Sequence, residues 1–133
     1  MSSQINMKNQ PIQRTIEDYI NAYNNFDIEG MLSKLHSAIV FKNITDGDIN
    51  LITNGLEEFK AQSEKATTFF GERKQTITDI QISGQKAEVL IDYHAVLAVD
   101  FPNGLKTGDK LVLKGKSIFF FEDDLIVSIE DYS

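Results

Sequence analysis

From Gly71 onward the chain repeats with a period of two, and this constrains the fold more than any other feature. Thr76, Thr78, Ile80 and Ile82 alternate with Ile77, Asp79 and Gln81; Ser83-Gly84 breaks the run; Ala87 to Val99 then alternates again. After a loop from Asp100 to Gly108, which holds Pro102 and Asn103-Gly104, two more strands are predicted, Lys110 to Phe121 and Leu125 to Tyr132, about Glu122-Asp123-Asp124. Strands in succession joined by short turns pair antiparallel, so a four-strand meander is expected. An open sheet of this kind must bury at least one face against something else.

The first half of the chain supplies the cover. From Pro11, the residues Ile12, Ile16, Tyr19, Ile20, Tyr23 and Phe26 recur at steps of three and four, opposite Arg14, Glu17, Asp18, Asn21 and Asn24, which predicts an amphipathic helix opened by a proline. Asp27 stands at an N-cap position before a second, shorter helix carrying Ile28, Met31, Leu32 and Leu35, with His36 at its end. Ala38 to Thr45 and Ile49 to Thr53 form a hairpin about Asp46-Gly47-Asp48. A third helix starts at Asn54 to Glu57, shows Leu56, Phe59, Ser63, Ala66 and Phe70 on one face, and is expected to end at Gly71 as a left-handed cap. Helices and strands are segregated rather than alternating, so the fold class is α+β with the helices on one sheet face.

Composition narrows the chemistry. With 133 residues, the chain makes one domain, expected over 11–133 behind a polar tail at 1–10. It has no Cys and two His, which removes thiolate catalysis, iron–sulfur clusters and cysteine-ligated zinc; no cofactor and no metal are expected. The net charge of −7 opposes binding to nucleic acid or an anionic membrane. The start is polar without an apolar segment, and Ala95 to Val99 and Ile118 to Phe121 are far too short to span a bilayer, so a cytoplasmic address is expected. There is no Gly-rich phosphate loop and no internal repeat.

The element order, together with Tyr19-Ile20-Asn21-Ala22-Tyr23 before Phe26-Asp27-Ile28-Glu29-Gly30-Met31-Leu32 and the closing Leu125-Ile126-Val127-Ser128-Ile129-Glu130-Asp131-Tyr132, resembles the nuclear transport factor two-like superfamily, in its SnoaL-like and ketosteroid-isomerase-like branches. The resemblance covers the chain from Pro11 onward. It implies a cone: three helices on a strongly curved, mostly antiparallel sheet, with a pocket between them and a homodimer formed through the outer sheet face. It also implies either cofactor-independent isomerase, cyclase or dehydratase chemistry on a small hydrophobic carbonyl or polyketide-like compound, or a ligand-binding or dimerisation module without turnover. Its helix junctions and strand ends specify a fold better than a reaction.

The resemblance to ketosteroid-isomerase-like enzymes places a carbonyl-polarising hydroxyl at Tyr19, the proton-moving carboxylate position at Asn43 and the late-strand acid position at Ser117. An amide cannot serve as a general base, and a hydroxyl is a weaker donor than a protonated acid, so steroid-type isomerisation is not expected. The pair Asp92 and His94, two apart on a strand and hence on one face, is the most suggestive remaining acid–base constellation. Registered against the family, Leu90, Asp92, His94 and Val96 face the pocket. The more apolar set, Ala87, Val89, Ile91, Tyr93, Ala95, Leu97 and Val99, makes the opposite case, because an apolar face normally meets the core. The candidates are therefore His94, Asp92 and Tyr19 for catalysis, with Tyr23, Phe41, Asn43, Phe59, Leu90, Ser117 and Phe119 for ligand binding. Other readings are weaker: His36 serving a helix end, Lys114 and Lys116 about a bulge at Gly115 binding an anion, and Glu122-Asp123-Asp124 as a solvated turn.

Overall fold

A computed structural model describes residues 10–133; the tail expected at 1–10 lies outside them but for Gln10, which opens the first helix. The elements are α1 (Gln10–Asn24), α2 (Ile28–Leu32), β1 (Leu35–Thr45), β2 (Asp48–Asn54), α3 (Gly55–Thr67), β3 (Phe70–Ser83), β4 (Lys86–Leu97), β5 (Lys110–Glu122) and β6 (Leu125–Tyr132). The architecture is α+β: three helices against a curved, open, mixed sheet of six strands, as expected for the cone. No described helix is long and apolar enough to cross a membrane.

Local chemistry sets the joints. Asp27 caps α2 by accepting from the Gly30 N–H at 2.9 Å, as its position predicted. The β1–β2 turn puts Asp46 at φ 51° and Gly47 at φ 85°, the doubly left-handed geometry whose twist suits a two-residue hairpin. Asp123 and Asp124, at φ 54° and 64°, repeat the device between β5 and β6, so the acidic run is a tight turn.

The sheet order is β2-β1-β6-β5-β4-β3; β1 and β6 are parallel and all other neighbours antiparallel. The meander β3 to β6 is present, and β6 joins it to the β1–β2 hairpin. Ile12, Ile16 and Ile20 of α1 share one core with Ala87, Val89 and Ile91 of β4 and with Phe119 and Ile129. A fully buried aliphatic side chain of this kind contributes roughly 1.5–3 kcal/mol.

Three expectations are corrected. Gly71 does not cap α3, which ends at Thr67; Gly71 sits inside β3 without a positive φ, because the strand starts at Phe70 rather than at Thr76. His36 does not close α2, which stops at Leu32; it belongs to β1, where its Nδ1 accepts from the Ala38 N–H at 3.0 Å and its Nε2 lies 3.7 Å from Asp123. Gly115 is not a bulge, since the β4–β5 register runs unbroken through Ile91 opposite Gly115.

Candidate functional site

The period-two alternation of β4 has one answer. Ala87, Val89 and Ile91 are buried in the core shared with the helices, Ala95 and Leu97 on the same side of the strand are buried as well, and Leu90 is 44% exposed. Leu90, Asp92, His94 and Val96 are therefore on the convex, outer face, and the expectation that they line the pocket is overturned. The reason is polarity: the inward set is wholly apolar apart from Tyr93, and its Ala87, Val89 and Ile91 share one core with the apolar stripe of α1. Asp92 there accepts from Lys114 Nζ at 3.0 Å, across from it on β5, and Lys116 Nζ lies 3.8 Å from Glu88, so each ammonium group already has a carboxylate beside it. His94 is exposed and, with Val96, lines an open groove of about 550 Å³ along β3, β4 and β5, apart from the cavity under α1 and α3.

The concave side encloses a cavity of about 220 Å³ beneath α1 and α3. Its apolar wall comes from Met31, Phe41, Leu51, Phe59 and Ala66, and its polar wall from Tyr19, Tyr23, Asn43, Arg73 and Asp131. A second hollow, of about 280 Å³, shares Tyr23, Asn43, Gln75 and Asp131 with it and is further lined by Tyr93, Ser117 and Gly115. Of the expected site residues, Tyr19, Tyr23, Phe41, Asn43 and Phe59 thus meet around the inner cavity, with Ser117 at its neighbour. Phe119 lines neither; it is 1% exposed and packs edge-on to the Tyr19 ring, 5.9 Å away, as core. Leu90 is on the wrong face.

Asp131 was missed by the sequence reading, although the signal was present. On β6 it lies two residues after the buried Ile129, hence on the same face, and it is register partner to both Asn43 of β1 and Ser117 of β5. Ser117 Oγ donates to Asp131 Oδ1 at 2.6 Å. Burial pushes the Asp131 carboxyl from 3.8 up to about 6, the Ser117 hydrogen bond partly opposing it. A carboxyl poised there is partly protonated near neutrality and can both accept and return a proton.

Neutral donors surround it. Burial, followed by the charge of Asp131, raises the Tyr19 hydroxyl well above its ordinary value, and burial also raises Tyr23 and Tyr93. All three stay protonated at any physiological pH. Tyr23 and Tyr93 hydroxyls lie 3.0 Å apart.

Arg73, also unanticipated, enters because β3 begins six residues earlier than expected; in phase with Gln75 and Ile77, it turns inward and is 4% exposed. Its Nε donates to the Tyr23 carbonyl at 2.9 Å, in the last turn of α1, and its guanidinium lies 3.7 Å from the Tyr23 ring centre and 4.5 Å from that of Phe26. Asn24 fastens the same junction, donating to Gln75 O at 3.0 Å and accepting from Gln75 N at 2.8 Å.

Comparison with known proteins agrees with this architecture. The SnoaL-like domain family matches residues 16–129. The chain belongs to that family. No curated protein matches it. Among solved structures, this SnoaL-like chain is similar to an NTF2-like protein of unknown function from Burkholderia pseudomallei K96243, with 20% identity over 92% of this chain and 89% of that one and a TM-score of 0.73. It is likewise similar to TsrD from Streptomyces laurentii, at 19% identity, 96% and 90% coverage and a TM-score of 0.76. A proposed polyketide cyclase from Xanthomonas campestris pv. campestris gives 18% identity, 93% and 90% coverage and a TM-score of 0.75. At such identities the likeness carries the fold alone. The family match ends before Asp131, so the reading of that carboxyl rests on the cavity itself.

Proposed function

We propose that this SnoaL-like chain is a cofactor-free acid–base catalyst of the isomerase or cyclase kind, acting on a small, largely hydrophobic carbonyl compound held in the cavity under α1. The observation that carries the reading is Asp131: a half-buried carboxyl, held by Ser117 at 2.6 Å, with its ionisation raised to about 6, in the wall of a cavity whose other wall is apolar. In this mechanism, Asp131 takes a proton from the carbon beside the substrate carbonyl and returns it elsewhere on the carbon skeleton. The tyrosine hydroxyls of the polar wall donate to the oxygen on which negative charge develops, and burial strengthens that stabilisation. Asp131 and Ser117 take the place of the Asp92–His94 pair expected from the sequence. The inner cavity is below the usual 300–1,000 Å³ of drug-sized sites, so the substrate is of one or two rings at most.

The homodimer belongs to the same reading. Leu90 at 44% and Val112 at 65% exposure leave apolar surface on the outer face of β4 and β5, which a second copy would cover. Sedimentation equilibrium is expected to give a dimer, and Val112→Glu a monomer.

The reaction is tested by following hydrogen–deuterium exchange at carbon beside the carbonyl of small cyclic ketones and 1,3-diketones by proton NMR. The wild-type chain is expected to accelerate exchange and Asp131→Asn to lose the acceleration. Equal rates in the two proteins, or no acceleration by wild type, would remove the catalytic reading. A binding module without turnover is the second reading; Asn43, an amide beside Asp131 in register, favours it because it supplies no second proton carrier.

A further inference from the structure

Two buried side-chain polar atoms among the described residues have no hydrogen-bond partner, Arg73 Nη2 and Thr53 Oγ1, and both residues line the inner cavity. They come from opposite edges of the sheet, β3 and β2, so a local packing fault in one strand does not account for both. Buried polar atoms are ordinarily satisfied, and an orphan in a cavity wall points to something that occupies the cavity.

Arg73 is the more demanding of the two. It carries a guanidinium cation, it is 4% exposed, and no carboxylate lies within 4 Å of it among the described residues. What surrounds it compensates only in part: two aromatic faces and the Tyr23 carbonyl at the negative end of α1. Those contacts use Nε and the ring faces, holding the plane of the guanidinium fixed. Asp131, the acid of the same cavity, is instead engaged with Ser117. The net charge of −7 makes it unhelpful to collect anions by long-range attraction, so a buried cation left without a counter-charge is a local device.

We infer that Arg73 is the seat of an anionic group on the ligand, and that the natural ligand of the cavity is a small carboxylic acid whose carboxylate pairs with the Arg73 guanidinium while its apolar body lies on Met31, Phe41 and Phe59. This deepens the catalytic reading above and rests on it only for the position of the reacting carbon near Asp131; the carboxylate preference stands for a binding module as well. A carboxylate accepts two parallel N–H bonds from a guanidinium, and such charge-assisted pairs are the strong ones. The same pairing fixes which way round the ligand enters, and so which of its carbons faces Asp131.

The test compares phenylacetate with phenylacetamide, which share shape and differ in charge, by calorimetric titration of the full chain. Phenylacetate is expected to bind at least tenfold more tightly. Arg73→Met is expected to bring the ratio of the two affinities close to one, and Arg73→Lys, which keeps the charge but loses the fork, to leave an intermediate ratio. Since Arg73 also ties β3 to α1, the Met variant is expected to melt at a lower temperature. The ratio separates the roles, because a merely structural arginine would weaken both ligands alike. If the Met variant does not fold, the wild-type ratio and the Lys variant decide. Equal affinities in wild type, no binding of phenylacetate, or a ratio unchanged by substitution would each overturn the inference. In Asp131→Asn the ratio is expected to persist while proton exchange is lost, so failure of the catalytic reading and failure of this one are seen separately.

Discussion

Asp92 and Asp131 flank the same strand from opposite sides, and they differ in everything that matters to chemistry. Asp92 reaches Lys114 of β5 at 3.0 Å on the convex face, in solvent; Asp131 receives Ser117 of β5 at 2.6 Å on the concave face, under the helices. Their partners are an odd number of residues apart, so the pleat sends them to opposite faces. One carboxylate is neutralised by a mobile ammonium, a pairing worth about 0–1 kcal/mol. The other is held by a hydroxyl and raised by burial to about 6, which is what the proposed proton transfer requires.

The largest effect that would break this contrast is catalytic. Asp131→Asn is expected to lower catalysed proton exchange by about 10²–10⁴-fold, the usual contribution of a positioned acid–base group, while Asp92→Asn leaves it unchanged. Parallel NMR exchange assays measure both; a large loss in Asp92→Asn would return the chemistry to the outer face.

The two faces should also differ in stability. Phe119→Ala, on the inner face at 1% exposure, is expected to cost about 3–5 kcal/mol in urea unfolding, and Phe120→Ala, on the outer face, less than half of that. Similar losses would mean that the outer face is as well covered as the core.

A third comparison uses pH. The folded Asp131 carboxyl ionises at about 6 against an ordinary 3.8, so the folded state holds this proton more tightly than the unfolded chain does. The stability this gives is fully present below pH 3.8 and is lost as pH rises through about 6. Between those limits, Asp131→Asn is expected to flatten the pH dependence by about 1–3 kcal/mol, read from unfolding curves at several pH values. An unchanged slope would show that Asp131 is better solvated than its position suggests. The smallest effect is at the outer pair, where Lys114→Ala is expected to change stability by less than about 1 kcal/mol and to lose even that in high salt.

How much of this was legible in the sequence follows from the length of each pattern. The α1 stripe from Ile12 to Tyr23 and the alternation of Ala87 to Leu97 run over enough residues for their periods to be unambiguous, and they delivered the helices, the meander and the α+β class. The facing of β4 was not legible from alternation alone, because Leu90 and Val96 make the outer set look half apolar. Only the helices packed on one side decide it. His36 was misplaced because Leu35 continues the i+3 spacing of a helix that ends at Leu32, and five residues are too few for a period to show its end. Asp131 was hidden by its polar neighbours Glu130 and Tyr132, even though counting by two from Ile129 sends it inward. Arg73 was hidden by a strand start placed too late. Both lie near strand ends, where a period has the fewest residues to support it.

The position of β6 in the sheet has a consequence for how the molecule comes into being. It is the last of the six described strands in chain order, yet it lies between β1 and β5, and among the described residues it alone joins the β1–β2 hairpin to the β3–β4–β5 meander by strand pairing. During synthesis, the two sheet fragments are made first and have nothing to pair with each other until this strand emerges. The strand that joins them also brings Asp131. A partly made chain therefore has an unfinished sheet and lacks this buried carboxyl, and the cavity receives its acid in the same event that joins the two sheet fragments.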